Sequence, residues 1–537
     1  MGCGDGALRF PLLIRSAWAI PAIALGVFLV VPLAWVLAEL PSALTALTEP
    51  TAQGARAPVL SVLSVLPLAL AQAVASTLLA LLIGLPMCAV VSRIQFRGRA
   101  MVEALVTVPF VLPTVVVALA LRSLLGPNAP LGLGLVIIAH VYVNLAVVIR
   151  LVGASWLQID PALTQAAKTL GANSWTAFRT VTLPALRGSI SSSAAVVFAF
   201  SFTSLGIALL LGGGQVRTLE MLVLRQSSVL LDFRAAAVSA TVQLLVVTAV
   251  LLLGTRATRR VRTGAPRRLP LPRRAIGRLG VRAVALVTSL LMLAPVGALF
   301  WASIRADGHF TAAWWLGLGS IDAGTTRIGT PIDAMRTSVT FAALTAVIAM
   351  VIGGAAALGS LGSSLGRGVA VLALAPLGIS AATLGLGLSL AFGRPPIDLR
   401  EVGVLVPMAH ALVAIPLVVA IAQPALRSLD DRRRSVAATL GATPLRAFVT
   451  AYGPTVRVVA FAAAGLAGAV SLGEFGAASF LARAGDPTMP LVIARLLGRP
   501  GAAALGTAAA MGVLLVLATW ILVLGVDRAG QRTVQTR

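Results

Sequence analysis

The spacing of charged residues is the strongest constraint on this sequence. Charged side chains are 11% of the chain and leave eleven gaps of 18 or more uncharged, mostly apolar positions, and a twelfth apolar stretch is interrupted only by Glu474. A helix of about 20 such residues crosses the ~30 Å hydrocarbon layer of a bilayer. The sequence therefore predicts twelve membrane spans. They are 17–38, 68–91, 104–121, 131–149, 188–211, 235–254, 283–304, 337–361, 368–393, 402–426, 458–482 and 501–526.

These spans predict an all-α integral membrane protein. A chain that is 58% hydrophobic could not cover a soluble globule with polar surface. Closed barrels also satisfy the backbone in lipid, but their strands alternate apolar and polar residues, whereas 244–253 is almost entirely apolar. The first span follows Arg9 and Arg15 and is longer than the apolar core of a secretory signal, which favours a retained anchor helix.

The formal net charge of +25 is explained by membrane topology rather than by nucleic acid. If the N-terminus is cytoplasmic, loops assigned to the cytoplasm hold 29 of the 42 Lys and Arg residues, and outer loops hold 13. This bias orients inserted helices. We therefore expect both termini in the cytoplasm, the bilayer as a partner and no bound nucleic acid.

The chain repeats itself at an offset of 270 residues. From Ala167 to Arg187, ten of 21 positions are identical to those 270 residues later, and the same register pairs His140 with His410. Such a density of matches indicates a duplication. Each copy holds six predicted spans, so the two halves should enter the membrane in the same direction. We predict a first half at 1–255, a basic cytoplasmic connector at 256–282 and a second half at 283–537.

The densest repetition lies in two predicted cytoplasmic loops, after the fourth and tenth spans. Asp160 is a helix cap, Gly171 ends that helix, and a second short helix is expected to run toward Pro184. Trp175 and Phe178 fall three residues apart and share a helix face, which predicts an exposed apolar contact. An alternative is that these helices lie on the membrane surface.

Both loops resemble the Glu-Ala-Ala loop of the permeases of binding-protein-dependent ABC importers. The matching residues are Gln165-Ala-Ala-x-x-Leu-Gly171 with Pro184, and Ser435-Val-Ala-x-x-Leu-Gly441 with Pro454. Gln165 and Ser435 replace the usual glutamate, which removes a charge-assisted bond. The stretches 108–114, 139–141, 212–220 and 471–476 resemble fused thiamine or ferric-iron permeases.

The resemblance implies a type I permease fold in two tandem six-helix repeats, in a prokaryotic cell membrane. It implies two cytoplasmic ABC ATPase subunits at the loops and an extracytoplasmic substrate-binding protein at 212–234 and 483–499. By the resemblance, the residues that engage the ATPases are Gln165, Ala167, Gly171, Ala172, Trp175, Phe178, Pro184, Ala437, Gly441, Ala442, Leu445, Phe448 and Pro454.

This chain is not expected to hydrolyse ATP. Its single lysine, Lys168, follows Ala167, so the phosphate-binding loop G-x-x-x-x-G-K-[ST] is absent from the sequence. We expect no catalytic residue and no cofactor in this chain, with ATP and Mg²⁺ held by the ATPase partner. A secondary transporter of the major facilitator type also has twelve spans in two halves and remains the alternative.

Polar side chains at membrane depth are few. Glu474 is the only fully charged side chain inside a predicted span, and His140, Asn144 and His410 are further polar groups there. Such residues are costly in lipid and usually face a cavity, which suggests a translocation path with the histidines facing each other. Alternatively, each binds a neighbouring helix. Two histidines are too few to hold ferric iron, so no metal site is predicted.

Overall fold

The computed structural model describes the chain as almost entirely helical. It covers residues 16–41, 58–126, 129–256, 268–269, 271, 275–306, 308–319, 330–394, 397–399, 402–429, 431–483 and 485–535. Among these residues, strands are confined to two short hairpins, β1–β2 at Arg305–Ala306 and His309–Phe310, and β3–β4 at Gly393–Arg394 and Ile397–Asp398. This confirms the all-α membrane class.

The helices follow the six-span repeat in order. Those before the connector are α1 Ala19–Ala38, α2 Pro58–Val91, α3 Arg99–Val111, α4 Thr114–Leu125, α5 Leu133–Leu157, α6 Pro161–Thr169, α7 Ser174–Phe202, α8 Leu205–Leu211, α9 Leu219–Ser228 and α10 Phe233–Arg256. Those after it are α11 Ala275–Ser303, α12 Ala313–Leu316, α13 Pro331–Gly362, α14 Ser364–Gly378, α15 Ala381–Phe392, α16 Leu405–Arg427, α17 Asp431–Thr439, α18 Pro444–Gly473, α19 Ala478–Leu481, α20 Met489–Leu497 and α21 Ala502–Gln535.

Two predicted spans are bent pairs rather than straight helices. In the described part of the chain, ten helices are long and apolar enough to cross a membrane, and counting each bent pair as one span gives twelve. The predicted straight span 104–121 is α3 and α4, at 110° to each other, and 368–393 is α14 and α15, at 109°. The first break falls at Leu112, which is extended because a residue before proline disfavours the helical region.

Two more predicted spans end early. The span predicted at 188–211 stops at Phe202, and the one predicted at 458–482 stops at Gly473. Short helices α8 and α19 follow each stop. Hydropathy continues across these breaks and so cannot reveal them.

The chain divides into two compact units. One consists of Met1–Ala38, Gly324–Leu491 and Leu514–Arg537, and the other of Glu39–Ala323 and Val492–Val513. Each unit is built around three mutually packed helices, α2, α5 and α7 in one and α13, α16 and α18 in the other. These are the second, fourth and fifth spans of each repeat.

The first span of each half packs in the unit formed mainly by the other half. Helix α1 packs on α13 and α15, and α11 packs on α2, α3 and α4. The tyrosine hydroxyl of Tyr142 in α5 donates to the carbonyl of Met292 in α11 at 3.0 Å. The predicted boundaries 1–255 and 283–537 therefore separate the sequence repeats but not the packing units. Helix α11 also begins inside the predicted connector, at Ala275.

Glycines allow α1 to approach its neighbours closely. A Cβ atom added at Gly359 in α13 would lie 2.9 Å from the backbone nitrogen of Trp18, and one added at Gly387 in α15 would lie 3.0 Å from the carbonyl oxygen of Pro32. Gly354 in α13 has open space, since its nearest contact would be a flexible methionine methyl at 3.9 Å. Backbone contact at two points therefore positions α1.

We expect Gly359→Ala to destabilise the protein while Gly354→Ala does not. Replacing glycine by alanine improves helix propensity by about 1 kcal/mol at either position. The difference in stability between the two variants therefore measures the clash with Trp18. Overpacking costs about 1–3 kcal/mol, which predicts a lower unfolding temperature for the first variant in detergent micelles. Equal unfolding temperatures for the two variants would contradict the close packing of α1.

Candidate functional site

The first repeated loop is a helix reversal fixed by its own backbone. We define this first coupling loop as residues 161–178. The side chain of Asp160 caps α6 by accepting from the backbone N–H of Ala162 at 2.9 Å. Gly171 ends the helix with φ +87°, and the N–H of Ala172 donates to the carbonyl of Ala167 at 3.0 Å. Because L side chains disfavour this left-handed conformation, glycine is needed there.

The second coupling loop, residues 431–448, has the same conformation. Gly441 has φ +82°, and the N–H of Ala442 donates to the carbonyl of Ala437 at 3.1 Å. Thr443 caps the following helix by accepting from the N–H of Arg446. In the first loop, Asn173 caps the corresponding helix by accepting from the N–H of Thr176. The predicted caps and glycine turns are thus present in both copies.

The helix after each turn differs from the prediction. We expected a short helix ending near Pro184, but α7 runs without interruption from Ser174 through Pro184 to Phe202. Helix α18 likewise includes Pro454. A π-helical turn at Phe178–Thr182 precedes Pro184, which places the proline at the start of the next α-helical segment and accommodates its missing N–H. The second helix of each loop and the membrane span that follows it are therefore one continuous helix in each half.

The exposed apolar surface of the loops lies at the turn. Leu170 is 89% exposed and its repeat partner Leu440 is 82% exposed. Trp175 is 67% exposed. Ala177 and its repeat partner Ala447, which lie on the second helix of each loop, are buried. The matched burial shows that both helices present the same face. Sequence reasoning missed the two leucines, although their identity in the repeat was the signal that could have found them.

Phe178 was predicted to contact a partner together with Trp175, but it is half-buried. Its ring stacks on that of Trp175, with centroids 5.7 Å apart, and contacts the buried ring of Trp156 at 6.2 Å. The guanidinium of Arg93, in the loop after α2, lies 6.0 Å from the Trp156 centroid. Burial lowers the pKa of Arg93 from its usual value. Phe178 therefore supports Trp175 rather than adding a second exposed ring.

The other predicted loop residues occupy varied positions. Gln165 is exposed, and Ala167 and Ala437 are half-buried on the first helices of the two loops. Pro184 is half-buried in α7, whereas Pro454 is exposed in α18. The side chains of Leu445 and Phe448 lie outside those that the structure describes.

His140 and Asn144 are buried in a hydrogen-bonded cluster within one unit. The Nδ1 atom of His140 lies 3.0 Å from Oε1 of Gln72, which can only accept, so the imidazole donates. The Gln72 amide in turn donates to the carbonyl of Ser201 at 2.8 Å, and Asn144 donates to the Ser201 hydroxyl at 3.2 Å. These contacts join the three central helices α2, α5 and α7.

The other unit contains a corresponding cluster. His410 Nδ1 donates to the hydroxyl of Ser471 at 2.8 Å, since that hydroxyl donates its one proton to Thr345 at 3.1 Å. Thr345 then donates to the carbonyl of Pro407 at 3.2 Å. Each histidine thus binds a neighbouring helix of its own unit. Their role in a translocation path stays a prediction.

Two acidic side chains also make hydrogen bonds within the units, Glu474 half-buried and Glu220 buried. Glu474 was expected inside a straight span, but it lies at the break after α18, where its Oε1 accepts from the N–H of Ala477 at 3.2 Å. Glu220 in α9 is buried and accepts from the amide of Gln243 in α10 at 3.0 Å. Sequence reasoning treated Glu220 only as part of a loop motif. In the described part of the chain, no three His, Cys, Asp or Glu side chains are grouped to hold a metal ion.

The duplicated six-span core and its paired helix reversals agree with the expectation of a membrane permease subunit of an ABC importer. Residues 76–263, which include the first coupling loop, match the family model described as "Binding-protein-dependent transport system inner membrane component". The chain is 26% identical over 483 residues to the thiamine transport system permease protein of Brucella abortus (strain 2308), covering 85% of this chain and 86% of that protein.

Shorter matches extend to permeases for anions. The chain is 33% identical over 152 residues to the molybdate/tungstate transport system permease protein of Thermococcus kodakarensis, covering 28% of this chain and 61% of that protein. It is 30% identical over 183 residues to the sulfate transport system permease protein of Escherichia coli (strain K12), covering 32% and 66%. The first half of the chain thus matches the inner-membrane permeases of binding-protein-dependent ABC importers, and its long-range similarity is to a permease of that kind, which favours this family over the major facilitator alternative.

We expect Ser471→Ala to destabilise the fold because it leaves Nδ1 of His410 without its acceptor. An orphaned buried donor costs about 1–3 kcal/mol. Ser479→Ala is a matched control, since the Ser479 hydroxyl bonds only to the Phe475 carbonyl of its own turn at 2.7 Å. Chemical unfolding in detergent should separate the two variants. Equal stability would show that the His410 cluster does not bind the helices together.

We expect Gly171→Val to disrupt the first coupling loop and Gly171→Asn to preserve it. A Cβ atom at Gly171 would meet no neighbour within 4 Å, so only backbone strain of about 1–2 kcal/mol distinguishes the two residues. Asparagine tolerates the left-handed conformation better than valine. Hydrogen exchange at the amide of Ala172 should accelerate in the valine variant alone. Unchanged exchange there would refute the proposed role of Gly171.

Proposed function

We propose that this chain is the translocating subunit of an ABC importer that carries thiamine into the cytoplasm. It would work with two ATPase subunits and an extracytoplasmic binding protein. The family supports the need for both kinds of partner. The observation that supports the ATPase assignment is the pair of coupling loops, which share a glycine turn, a buried alanine and an exposed leucine.

The coupling loops offer each ATPase a small apolar contact. Leu170 and Leu440 project at the glycine turns, and Gln165 and Ser435 stand where the resemblance leads us to expect a glutamate. Apolar burial contributes about 25 cal/mol per Å², so exposed leucines and Trp175 can supply the contact without that charge. ATP and Mg²⁺ would be bound by the ATPases, and this chain would carry no cofactor.

Thiamine is the substrate that coverage of the relatives favours. Similarity to the Brucella abortus thiamine permease extends over 85% of this chain, whereas similarity to the sulfate and molybdate/tungstate permeases extends over a third or less. Ferric iron, the other substrate suggested by the sequence, has no support among these relatives. The binding protein would dock on the outer segments 212–234 and 483–499, and both termini would be cytoplasmic, in accord with the distribution of Lys and Arg.

Uptake by proteoliposomes tests the proposal. With binding protein outside and ATP with Mg²⁺ and ATPase inside, labelled thiamine should accumulate, and unlabelled sulfate, molybdate or ferric iron should not compete. The double variant Leu170→Asp with Leu440→Asp should lose co-purified ATPase at least tenfold, because burying an unpaired carboxylate is costly. Leu316→Asp, at an exposed position in a predicted outer loop away from segments 212–234 and 483–499, is the control.

Three outcomes would contradict parts of this proposal. Uptake that proceeds without ATPase, driven by an ion gradient, would indicate a secondary carrier. Full ATPase binding by the double aspartate variant would remove the coupling loops from the interface. Competition by sulfate or molybdate would leave the ATPase assignment intact and replace the substrate.

A further inference from the structure

We infer that the two coupling loops bind their ATPase copies unequally, with the first loop as the stronger anchor. This inference rests on the proposed function, because it assigns different strengths to the two ATPase sites. It follows from a stack of aromatic side chains that supports the first loop. We call this stack the aromatic column and define it as Trp175, Phe178 and Trp156.

The aromatic column fixes the exposed tryptophan before any partner arrives. Trp175 is largely exposed, yet its ring lies at 26° to that of Phe178, with centroids 5.7 Å apart. Phe178 rests in turn on the buried Trp156 at 6.2 Å. Ordering a mobile side chain on binding costs free energy, so a tryptophan already held in place binds more tightly than a free one.

Arg93 closes the inner end of the column. Its guanidinium lies 6.0 Å from the Trp156 centroid, and the residue is buried. A cation over an indole ring is attracted by the ring quadrupole, and the attraction grows when water is excluded. Arg93 therefore limits the positions open to Trp156 and, through it, to Phe178.

The connector holds the loop that carries Arg93. The N–H of Leu269 donates to the carbonyl of Arg93 at 2.7 Å, and the N–H of Gln95 donates to the carbonyl of Leu269 at 2.9 Å. Arg268 lies 3.7 Å from the carboxylate of Glu103 at the start of α3. The segment that joins the two halves is thus also part of the support for the first coupling loop.

The second coupling loop lacks every aromatic member but one. At the offset of 270 residues, Leu445 replaces Trp175 and Leu426 replaces Trp156, while Phe448 is retained. Neither of these two repeat-related positions carries an indole. The loop after α13 has no arginine from Ser360 to Gly366. Identical ATPase copies would therefore meet an aromatic anchor on one side and an aliphatic one on the other.

Residue type predicts which side binds more strongly. Tryptophan is enriched among the few interface residues that carry most of the binding energy, and leucine is under-represented. The partner surface that suits Trp175 is an apolar pocket deep enough for an indole. The same pocket on the second ATPase copy would be filled only partly by leucine.

Matched variants test this inequality. In the purified permease with its ATPase, native mass spectrometry should show two ATPase copies per wild-type chain. Trp175→Ala should weaken one site by about 30-fold, which corresponds to about 2 kcal/mol, and leave a complex with one copy at moderate concentration. Leu445→Ala should weaken its site by no more than about fivefold. Trp175→Leu should make the two sites alike.

Connector variants provide a second measurement. Leu269→Pro removes the N–H that bonds to Arg93, so it should weaken the first site about fivefold, while Leu271→Pro in the same segment should not. If wild type binds two ATPase copies and Trp175→Ala and Leu445→Ala weaken ATPase binding equally, the inequality is overturned. The proposed function would then still stand. A wild-type chain that binds no ATPase would overturn both.

Discussion

A bilayer interior supplies no water, so each peptide group at membrane depth must find its hydrogen-bond partner in the protein. Long helices meet this requirement automatically, and side chains cap some of the breaks in them. At the break before α15, Ser380 accepts from the N–H of Thr383 at 3.0 Å. At the break after α18, Glu474 accepts from Ala477. Polar residues that look like path-lining groups in a hydropathy profile can thus serve the backbone.

The same requirement organises the central helices. In each unit a histidine, a serine and a third polar side chain join the second, fourth and fifth spans. The histidine and serine occupy repeat-related positions, but the third member is Gln72 in one unit and Thr345 in the other. Nδ1 of the histidine therefore donates in both units, but its acceptor is Gln72 in one and Ser471 in the other. Buried polar pairs of this kind favour one register of helix packing over its alternatives.

Local signals explain what the sequence could predict. Asp160, Gly171 and Gly441 specify caps and turns through their own backbone chemistry, so the loop conformation was predictable. Pro113 marks the bend at 112–114, but a hydropathy profile does not register it. The bend at 379–381 was not predicted, because apolar residues continue through it. The placement of α1 against α13 and α15 depends on the absence of side chains at Gly359 and Gly387, and hydropathy does not register that absence. The inward turn of Phe178 depends on Trp156, which lies in another helix.

The uninterrupted course of α7 and α18 gives the coupling loops mechanical reach. From Trp175 to Ser201 the chain rises as one helix, about 40 Å at 1.5 Å per residue. A continuous helix acts as a lever, since a tilt imposed at its coupling-loop end also displaces its other end. Ser201 and Ser471 sit at those far ends, each bonded into a histidine cluster. A movement of each turn would therefore reach the hydrogen bonds of a histidine cluster through a single helix.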